Sequence, residues 1–411
     1  MTNAMQEHLF ADLKVLDLAS FIAGPAATTI LSDFGADVIK VEPPGRGDPY
    51  RYFFSTPPNP QSASNYSWQL TNRNKRSLAL NLKSPESREV LKRLVKWADV
   101  LVTNFPPETR KKLGLRYEDV SGHNDQLIYA DVTGYGSKGN DADKPGFDVT
   151  AYWARTGLME VTHDADSAPT LPIPGIGDHA TAVTLYSAIV TGLFRRLKFG
   201  KGCHVTTSLI AEGAWAAGTW IEGALHGAKF FPQHDRKRPP NALLNPYLTS
   251  DGRWILLVAA QEKDWPGFVS AMNLPALLSD PRFIDKKNRA KNATALVDIL
   301  DTSFSKRPLA YWVETFDKGH VIFGVVQQFD EIIRDPQMYA NDIIVPLETA
   351  VGDISHTVNS TMQIVDSKKV RPRAAPNLGQ HSESVLRELF FSELEISAMR
   401  SSGVIESAIT Q

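Results

Sequence analysis

The chain has 411 residues, of which 44 are Lys or Arg and 46 are Asp or Glu, so its formal net charge is −2 at pH 7. This balance argues against a surface that coats nucleic acid or is attracted to anionic membranes. The single cysteine, Cys203, excludes an intrachain disulfide framework and any multi-cysteine zinc or iron–sulfur site. No apolar run approaches the roughly 18 residues that a membrane span needs, and residues 1–13 lack the features of a secretory signal. We therefore expect a cytoplasmic protein without nucleic-acid or membrane partners.

The first 135 residues alternate β-rich runs with amphipathic segments, a pattern that predicts a doubly wound α/β sheet. Strands are predicted at 13–18, 37–41, 77–82, 99–103 and 127–132. A helix is predicted at 26–34, with Pro25 at its first position and Gly35 just past its end. Parallel strands joined by right-handed crossovers place their carboxyl ends along one edge of the sheet, where ligands bind. The segments 20–25, 104–107 and 134–139 should converge on that edge.

The rest of the chain does not continue this regular alternation of strands and helices. Residues 178–224 are predicted to be mainly helical. The basic, proline-containing stretch 234–245 indicates a linker, and a hairpin is predicted to turn at Asp251-Gly252. A small mixed domain is predicted up to about residue 327, and a closing helix at 381–389.

Several common motifs for nucleotide binding and hydrolysis are absent. The loop after the first strand lacks the GxGxxG fingerprint, and there is no Walker A loop. Residues 134–139 resemble a nucleophile elbow, but Tyr135 stands two residues before Ser137 where glycine is required. The ten histidines include no HExxH pair, and the short acidic segment 163–166 is typical of a solvated loop. The sequence therefore predicts no metal site.

Asp178 stands in the run Gly175-Ile176-Gly177-Asp178-His179, directly before an apolar helical stretch that starts at Ala180. On the residues alone, this pattern favours a helix N-cap. Aspartate is a preferred capping residue, and the helix dipole stabilises a carboxylate at that end.

Six segments in a fixed order carry a family resemblance over nearly all of the chain. They are LKVLDLASFIAGPAATTILSDFGADVIKVEPPGRGDPYR (13–51), NRNKRSLALNLK (72–83), ADVLVTNFPPE (98–108), PGFDVTAYWARTGLM (145–159), PGIGDHATA (174–182) and APNLGQHSESVL (375–386). Together they resemble the class III CoA-transferases, the CaiB/BaiF family. Within that family the chain is most similar to the branch acting on 2-hydroxy acids, phenyllactate-type acids and small dicarboxylic or sulfinic acids.

The resemblance implies an α/β fold with a Rossmann-like large domain formed from both chain ends, a small α+β domain, and an interlocked homodimer. Composition changes near residues 228 and 330 fit this plan. They divide the chain into 1–227 as the N-terminal part of the large domain, 228–330 as linker and small domain, and 331–411 as return linker and C-terminal part of the large domain. Such a dimer is expected to be obligate.

The resemblance also implies a covalent reaction, with Asp178 as the residue that matches the family's nucleophile. Its carboxylate attacks the thioester of an acyl-CoA, giving a mixed anhydride and then an enzyme–CoA thioester. A small carboxylic acid then accepts the CoA by the reverse steps. Glycines next to Asp178 leave room for the thioester, and the helix N-terminus is expected to keep the carboxylate ionised. CoA thioesters are then substrates, no cofactor is held permanently, and succinyl-CoA is the first donor to test.

Matches to the family's CoA-binding segments imply seven contact positions: Ile22, Ala23, Lys83, Asn104, Phe105, Lys112 and Lys144. On the residues alone, an exposed solubilising charge is the favoured interpretation of each lysine. Arg155 is a candidate partner for an acceptor carboxylate, with a surface ion pair as the alternative. Asp148 matches an acidic family position near the active site and is assigned no step.

Two other functions stay open. The α-methylacyl-CoA racemases of the same family resemble the chain at GFDVT, but they carry a histidine where Phe147 stands. Phenylalanine cannot exchange a proton, which argues against a racemase. A non-catalytic CoA-binding protein is disfavoured by the retention of Asp178 together with Gly175 and Gly177.

Overall fold

The computed structural model describes residues 8–230, 233–259, 261–351 and 354–408. Residues 1–7, on which the expectation about a secretory signal partly rests, lie outside this description. The chain forms two compact units. The first combines Met1–Glu160, Leu171–Gly227 and Pro336–Gln411, and the second combines Val161–Thr170 and Ala228–Asp335.

From residue 8 to 230 the chain alternates strands and helices. The strands are β1 (Lys14–Asp17), β2 (Asp37–Glu42), β3 (Arg76–Leu80), β4 (Val100–Thr103), β5 (Ile128–Thr133) and β6 (Cys203–Ser208). The helices are α1 (Ala23–Asp33), α2 (Tyr66–Asn72), α3 (Ser87–Trp97), α4 (Pro107–Leu113), α5 (Tyr117–Val120), α6 (Leu158–Val161), α7 (Ile176–Phe199), α8 (Leu209–Ala216) and α9 (Gly218–Leu225). A 3₁₀ segment (Pro49–Ser55) and a π-helical segment (Asp148–Ala154) lie between them.

The second unit contains a three-stranded antiparallel sheet and a group of helices. Its strands are β7 (Leu244–Leu248), β8 (Trp254–Val258) and β9 (Phe323–Val325), and its helices are α10 (Trp265–Ala271), α11 (Lys286–Lys291), α12 (Ala293–Phe304), α13 (Leu309–Lys318) and α14 (Phe329–Ile332). Two 3₁₀ segments, Glu262–Asp264 and Pro275–Leu278, complete it. β7 and β8 pair on either side of Asp251-Gly252, which confirms the predicted hairpin.

The chain then returns to the first unit. Its elements there are α15 (Pro336–Ala340), β10 (Ile344–Val351), β11 (Ile354–Val358), α16 (Ser382–Glu388), α17 (Glu393–Ser401) and β12 (Ile405–Glu406). β10 and β11 form an antiparallel pair. The closing helix predicted at 381–389 is confirmed by α16.

The large sheet has the strand order β12-β3-β2-β1-β4-β5-β6. All neighbours are parallel except β12, which pairs antiparallel to β3. The five predicted strands and their parallel, doubly wound arrangement are therefore confirmed. The prediction for 178–224 is wrong at β6, because this half-polar edge strand is defined by its pairing with β5.

Two apolar cores lie on opposite faces of this sheet, as expected for parallel strands that are covered on both sides. One core packs the sheet against α3, α16 and α17, and includes Leu94, Val385 and Ile396. The other packs it against α1 and α7, and includes Ala27 and Leu185. Each large aliphatic side chain buried in this way contributes about 1.5–3 kcal/mol. The carboxyl edge of the sheet is thereby held rigidly between two helical layers.

The first helix begins earlier than predicted. α1 starts at Ala23, so Pro25 is the third residue of the helix and not the first. Proline is tolerated there because the N–H groups of the first turn have no partner within the helix. Among the described residues, no helix is long and apolar enough to cross a membrane.

Candidate active site

A cavity of about 450 Å³ lies at the carboxyl edge of the large sheet, within the first unit. Its wall includes residues 20–23 after β1, residues 104–107 after β4, and Gly134 after β5, so the predicted convergence of three segments is confirmed. Two hydrogen bonds join the first two loops: Ser20 N donates to Asn104 Oδ1 over 2.9 Å, and Asn104 Nδ2 donates to Ser20 O over 2.7 Å. The strand order reverses between β1 and β4, which is where doubly wound sheets bind ligands.

The first loop is held in a strained conformation at Phe21. Its φ of 62° lies in the left-handed region, which a bulky residue rarely adopts. Asp48 Oδ1 accepts hydrogen bonds from Phe21 N (3.1 Å) and Tyr50 N (2.9 Å), and these bonds hold the loop in place. The Phe21 ring then meets the edge of Phe147 across the cavity wall, with ring centroids 5.9 Å apart.

A buried ionic cluster formed by Asp17, Lys40, Asp48 and Lys75 lies beneath this loop. Lys40 Nζ is 2.9 Å from Asp48 Oδ2, and Lys75 Nζ is 2.9 Å from Asp17 Oδ2. Burial opposes the ionisation of Asp17, but the charges of Lys40 and Lys75 outweigh it and lower the pKa of Asp17. Burial lowers the pKa of Lys75 to about 8 despite its pairing with Asp17. Two members of the cluster, Asp17 and Lys40, are charged residues inside otherwise apolar strands, a pattern that could have indicated a buried ionic cluster from the sequence.

Asp178 is not the N-cap of α7, so that prediction is wrong. The helix begins at Ile176, its N-cap is Gly175 with φ +97°, and Asp178 is its third residue. The capping carboxylate is Asp148, whose Oδ2 accepts hydrogen bonds from Gly175 N (2.7 Å) and Gly177 N (3.3 Å). Within the described part of the chain, the half-buried Asp178 carboxylate accepts no hydrogen bond, and it lines the cavity.

Gly177 is required by packing. A Cβ at this position would lie 2.5 Å from Tyr152 Cγ, closer than real side chains approach. Tyr152 belongs to the π-helical segment that begins with Asp148. The glycine therefore lets the segment carrying the capping carboxylate lie directly against the start of α7.

Two carboxylates that form no ion pair with any described residue shape the electrostatics of the cavity. Burial, and after it the negative charge of Asp148, raises the pKa of Asp178 to about 7. Burial also raises the pKa of Asp148, although its three backbone N–H donors oppose this. The expectation that the helix N-terminus keeps Asp178 ionised is therefore wrong in direction, because burial and the second carboxylate outweigh the helix dipole. Burial and the Asp178 charge also raise the pKa of Tyr50.

Five of the seven implied CoA contacts line the same cavity as Asp178: Ile22, Ala23, Asn104, Phe105 and Lys144. Lys144 is exposed, with Nζ 5.3 Å from the ring centre of Tyr135. Lys83 and Lys112 do not line the cavity. Lys83 is exposed in the turn after β3, and Lys112 is exposed in the last turn of α4.

Arg155 is not in the cavity wall. Its Nη1 lies 3.0 Å from Asp141 Oδ2, so Arg155 forms a surface ion pair. The sequence analysis gave this pair as the alternative to binding an acceptor carboxylate. Phe147 lines the cavity and is 57% exposed.

Sequence reasoning missed most of the apolar lining. Tyr50 and Phe53 from the 3₁₀ segment, Val149 from the π-helical segment and Leu209 from α8 reach the wall, and the sequence analysis assigned none of them to the site. In the part of the chain that the structure describes, no group of three His, Cys, Asp or Glu side chains could hold a metal ion. The arrangement places the Asp178 carboxylate in the wall of a mostly apolar cavity that the exposed Lys144 also lines.

Comparison with known proteins gives consistent matches over the full length. The family model for CoA-transferase family III matches residues 10–382. The chain is 32% identical over 399 residues to the (R)-2-hydroxy-4-methylpentanoate CoA-transferase of Clostridioides difficile, covering 97% of this chain and 99% of the relative. It is 31% identical over 400 residues to the succinyl-CoA:glutarate CoA-transferase of Homo sapiens, covering 96% and 89%.

A solved structure, a CAIB/BAIF family protein from Brucella suis, superimposes with a TM-score of 0.83. The identity is 27%, and the match covers 93% of this chain and all of that one. The family model, the relatives and the fold agree. The chain therefore belongs to CoA-transferase family III and is an enzyme of the CoA-transferase class.

Proposed function

We propose that this enzyme transfers CoA from an acyl-CoA donor to a small organic acid through covalent intermediates on Asp178. The observation that carries the proposal is the Asp178 carboxylate itself. It lines the cavity at the switch point of the sheet, and among the described residues nothing donates a hydrogen bond to it. With its pKa raised to about 7, the ionised carboxylate is more basic than an ordinary aspartate, and higher basicity favours nucleophilic attack.

The proposed reaction has four steps. Asp178 Oδ attacks the thioester carbonyl carbon, the C–S bond breaks, and CoA thiolate leaves behind a mixed anhydride. The thiolate then attacks the aspartyl carbonyl, which releases the donor carboxylate and forms an enzyme–CoA thioester. The acceptor carboxylate attacks the aspartyl carbonyl of this thioester, the C–S bond breaks, and CoA thiolate leaves behind a second mixed anhydride. Returning thiolate attacks the acceptor acyl carbon, which releases the new acyl-CoA and the free Asp178 carboxylate.

The apolar wall supports this chemistry. Both intermediates would hydrolyse in contact with water, and an apolar wall limits the water around the reacting atoms. Ile22, Ala23, Asn104 and Phe105 are proposed to contact CoA close to the reacting thioester. Lys144 is proposed to contact a phosphate or carboxylate of the substrates. The exposed cations Lys83 and Lys112 stay proposed phosphate contacts outside the cavity.

The substrate proposal draws on the relatives. Their printed activities concern a 2-hydroxy acid and glutarate, so we propose a small organic acid as acceptor and succinyl-CoA as the first donor to test. Arg155 no longer supports a dicarboxylate, because Asp141 occupies it.

We also propose that the enzyme is an interlocked homodimer in the cytoplasm. Large apolar side chains are exposed along α7, α8 and α9, with Leu197 84% and Trp215 83% accessible. Contiguous apolar surface of this kind is typical of an interface. The single unpaired cysteine is consistent with a reducing compartment.

Mass spectrometry tests the covalent reaction. The purified protein is mixed with succinyl-, acetyl- and 2-hydroxyacyl-CoA, then treated with hydroxylamine, and compared with Asp178→Asn. We expect a CoA-sized or acyl-sized adduct that is trapped as a hydroxamate on Asp178 and is absent from the variant. Asp143→Asn, which removes an exposed carboxylate from the same cavity wall, is the matched control and should still form the adduct. CoA binding without an adduct from any donor would indicate a non-catalytic CoA-binding protein.

A further inference from the structure

We propose that Asp148 is a positioning residue for the transfer reaction. It fixes the glycine turn that carries Asp178, and its negative charge disfavours the free Asp178 carboxylate relative to the neutral, acylated form. This inference rests on the proposed role of Asp178 as the nucleophile.

The contacts of Asp148 support the positioning role. The residue is 3% exposed and begins the π-helical segment. Its Oδ2 accepts hydrogen bonds from the N–H groups of Gly175 and Gly177, and its Oδ1 accepts one from Val149 N at 2.7 Å. The two glycines are the residues before and after Ile176 at the start of α7. A single oxygen therefore sets the geometry of the helix start from which Asp178 projects.

The charge of Asp148 has no counter-ion among the described residues. Other deeply buried aspartates of this chain are paired: Asp17 with Lys75 and Lys40, and Asp131 with Arg110. Asp148 contacts only backbone N–H groups, which stabilise its charge but do not neutralise it. Its field therefore acts on the neighbouring carboxylate, and it is one of the two causes that raise the pKa of Asp178.

The other titratable groups around Asp178 do not cancel this field. Burial lowers the pKa of His179, which keeps the imidazole neutral, and burial raises the pKa of Tyr50, which keeps the phenol protonated. The remaining charged groups in the cavity wall are Asp143 and Lys144, which are opposite in sign and solvent-exposed. Exposed charges are strongly screened. Asp148 is thus the dominant charged neighbour.

The consequence concerns the covalent cycle. When Asp178 becomes an anhydride or a thioester, it loses its charge, and the repulsion between the two carboxylates disappears. Asp148 thereby favours the acylated enzyme over the free enzyme. Its hydrogen bonds to the α7 N-terminus also leave the Asp178 oxygens unengaged and available for attack.

Two variants separate the charge from the hydrogen bonds. Asp148→Asn keeps a carbonyl oxygen for the glycine N–H groups and removes the charge, whereas Asp148→Ala removes both. The readout is the pH dependence of kcat/KM, which reports the ionisation of the free enzyme. We expect Asp148→Asn to move the acid limb to lower pH by about one unit and to reduce the steady-state adduct about tenfold. Asp148→Ala should show the same shift and a further loss of kcat of about tenfold at every pH.

Controls separate this inference from a purely structural effect and from the proposed function. Asp143→Asn should move the acid limb less than Asp148→Asn does. In the wild type, the rate of adduct formation should rise with an inflection near pH 7, a measurement that needs no variant. An inflection near pH 4, or a folded Asp148→Asn enzyme with an unmoved acid limb, overturns the inference while adduct formation on Asp178 stands. A wild-type enzyme without an adduct on Asp178 overturns both.

Discussion

Replacing Asp178 by asparagine is expected to stabilise the folded protein above neutral pH. Burial and the Asp148 charge raise the pKa of Asp178 from 3.8 to about 7. At a pH above both of these values, Asp178 is ionised in the folded and in the unfolded protein. Its ionisation is less favourable in the folded protein, by an amount that corresponds to about three pKa units. At about 1.4 kcal/mol per unit, the penalty is on the order of 4 kcal/mol. This is a large share of a typical unfolding free energy.

The stabilisation depends on pH in a defined direction. Because the pKa is higher in the folded state, the folded protein binds more protons than the unfolded chain between about pH 4 and about pH 7. The wild type therefore loses stability as the pH rises through this window. Asp178→Asn lacks the ionisation. The excess of its unfolding free energy over that of the wild type should therefore be smallest near pH 4, should grow as the pH rises, and should level off above about pH 7.

Urea unfolding followed by tryptophan fluorescence measures this difference at about pH 5, 7 and 9. One protein concentration is used throughout, because the proposed subunit association would contribute to stability. Asp143→Asn, in which an exposed carboxylate is lost, should show no comparable pH-dependent gain. If the difference between Asp178→Asn and the wild type were the same at all three pH values, the electrostatic reasoning would be refuted.

Three further changes have expected outcomes. Lys40→Met leaves the buried Asp48 without its cation and should lower the unfolding free energy by about 3–5 kcal/mol in the same urea assay. Gly177→Ala forces a Cβ against the adjacent tyrosine ring and should destabilise by about 1–3 kcal/mol with a fall in kcat/KM; Gly218→Ala, where a Cβ meets no atom within 4 Å, is its matched control and should retain wild-type stability and activity. Trp215→Glu places a charge on the exposed apolar surface and should prevent assembly of the obligate dimer, so that light scattering shows unfolded or aggregated chain in place of a dimer; a folded dimer of unchanged mass would contradict the proposed interface.

The sequence alone was sufficient to predict the strands β1 to β5, which form the central part of the large sheet. These strands were predictable because their apolar, β-rich runs are separated by segments that have helical periodicity and by glycines that mark the ends of elements. The convergence of the three loops then followed from the geometry of parallel strands alone. β6 and β12 were not predictable in this way. β6 is half polar, β12 has two residues, and both are defined by hydrogen bonds to strands far away in the sequence.

The site was predictable only in part. The resemblance led to Asp178 and to five cavity-lining positions, but Lys83 and Lys112 lie elsewhere. The capping rule failed at Asp178 because it considers only neighbouring residues. α7 begins two residues before Asp178, and its capping carboxylate comes from Asp148, 30 residues earlier in the chain. Long-range partners of this kind carry no local signal.

The different roles that we propose for the Asp148 and Asp178 carboxylates have a physical reason. A carboxylate that caps a helix is stabilised by backbone N–H groups, and such bonds lower both its energy and its nucleophilicity. A nucleophile needs the opposite: unengaged oxygens and a destabilised charge. In this chain Asp148 takes the capping bonds, and Asp178, three residues beyond the N-cap Gly175, keeps its oxygens free in the cavity. We therefore propose that the same buried charge that completes the helix N-terminus makes the free Asp178 carboxylate less stable and more reactive.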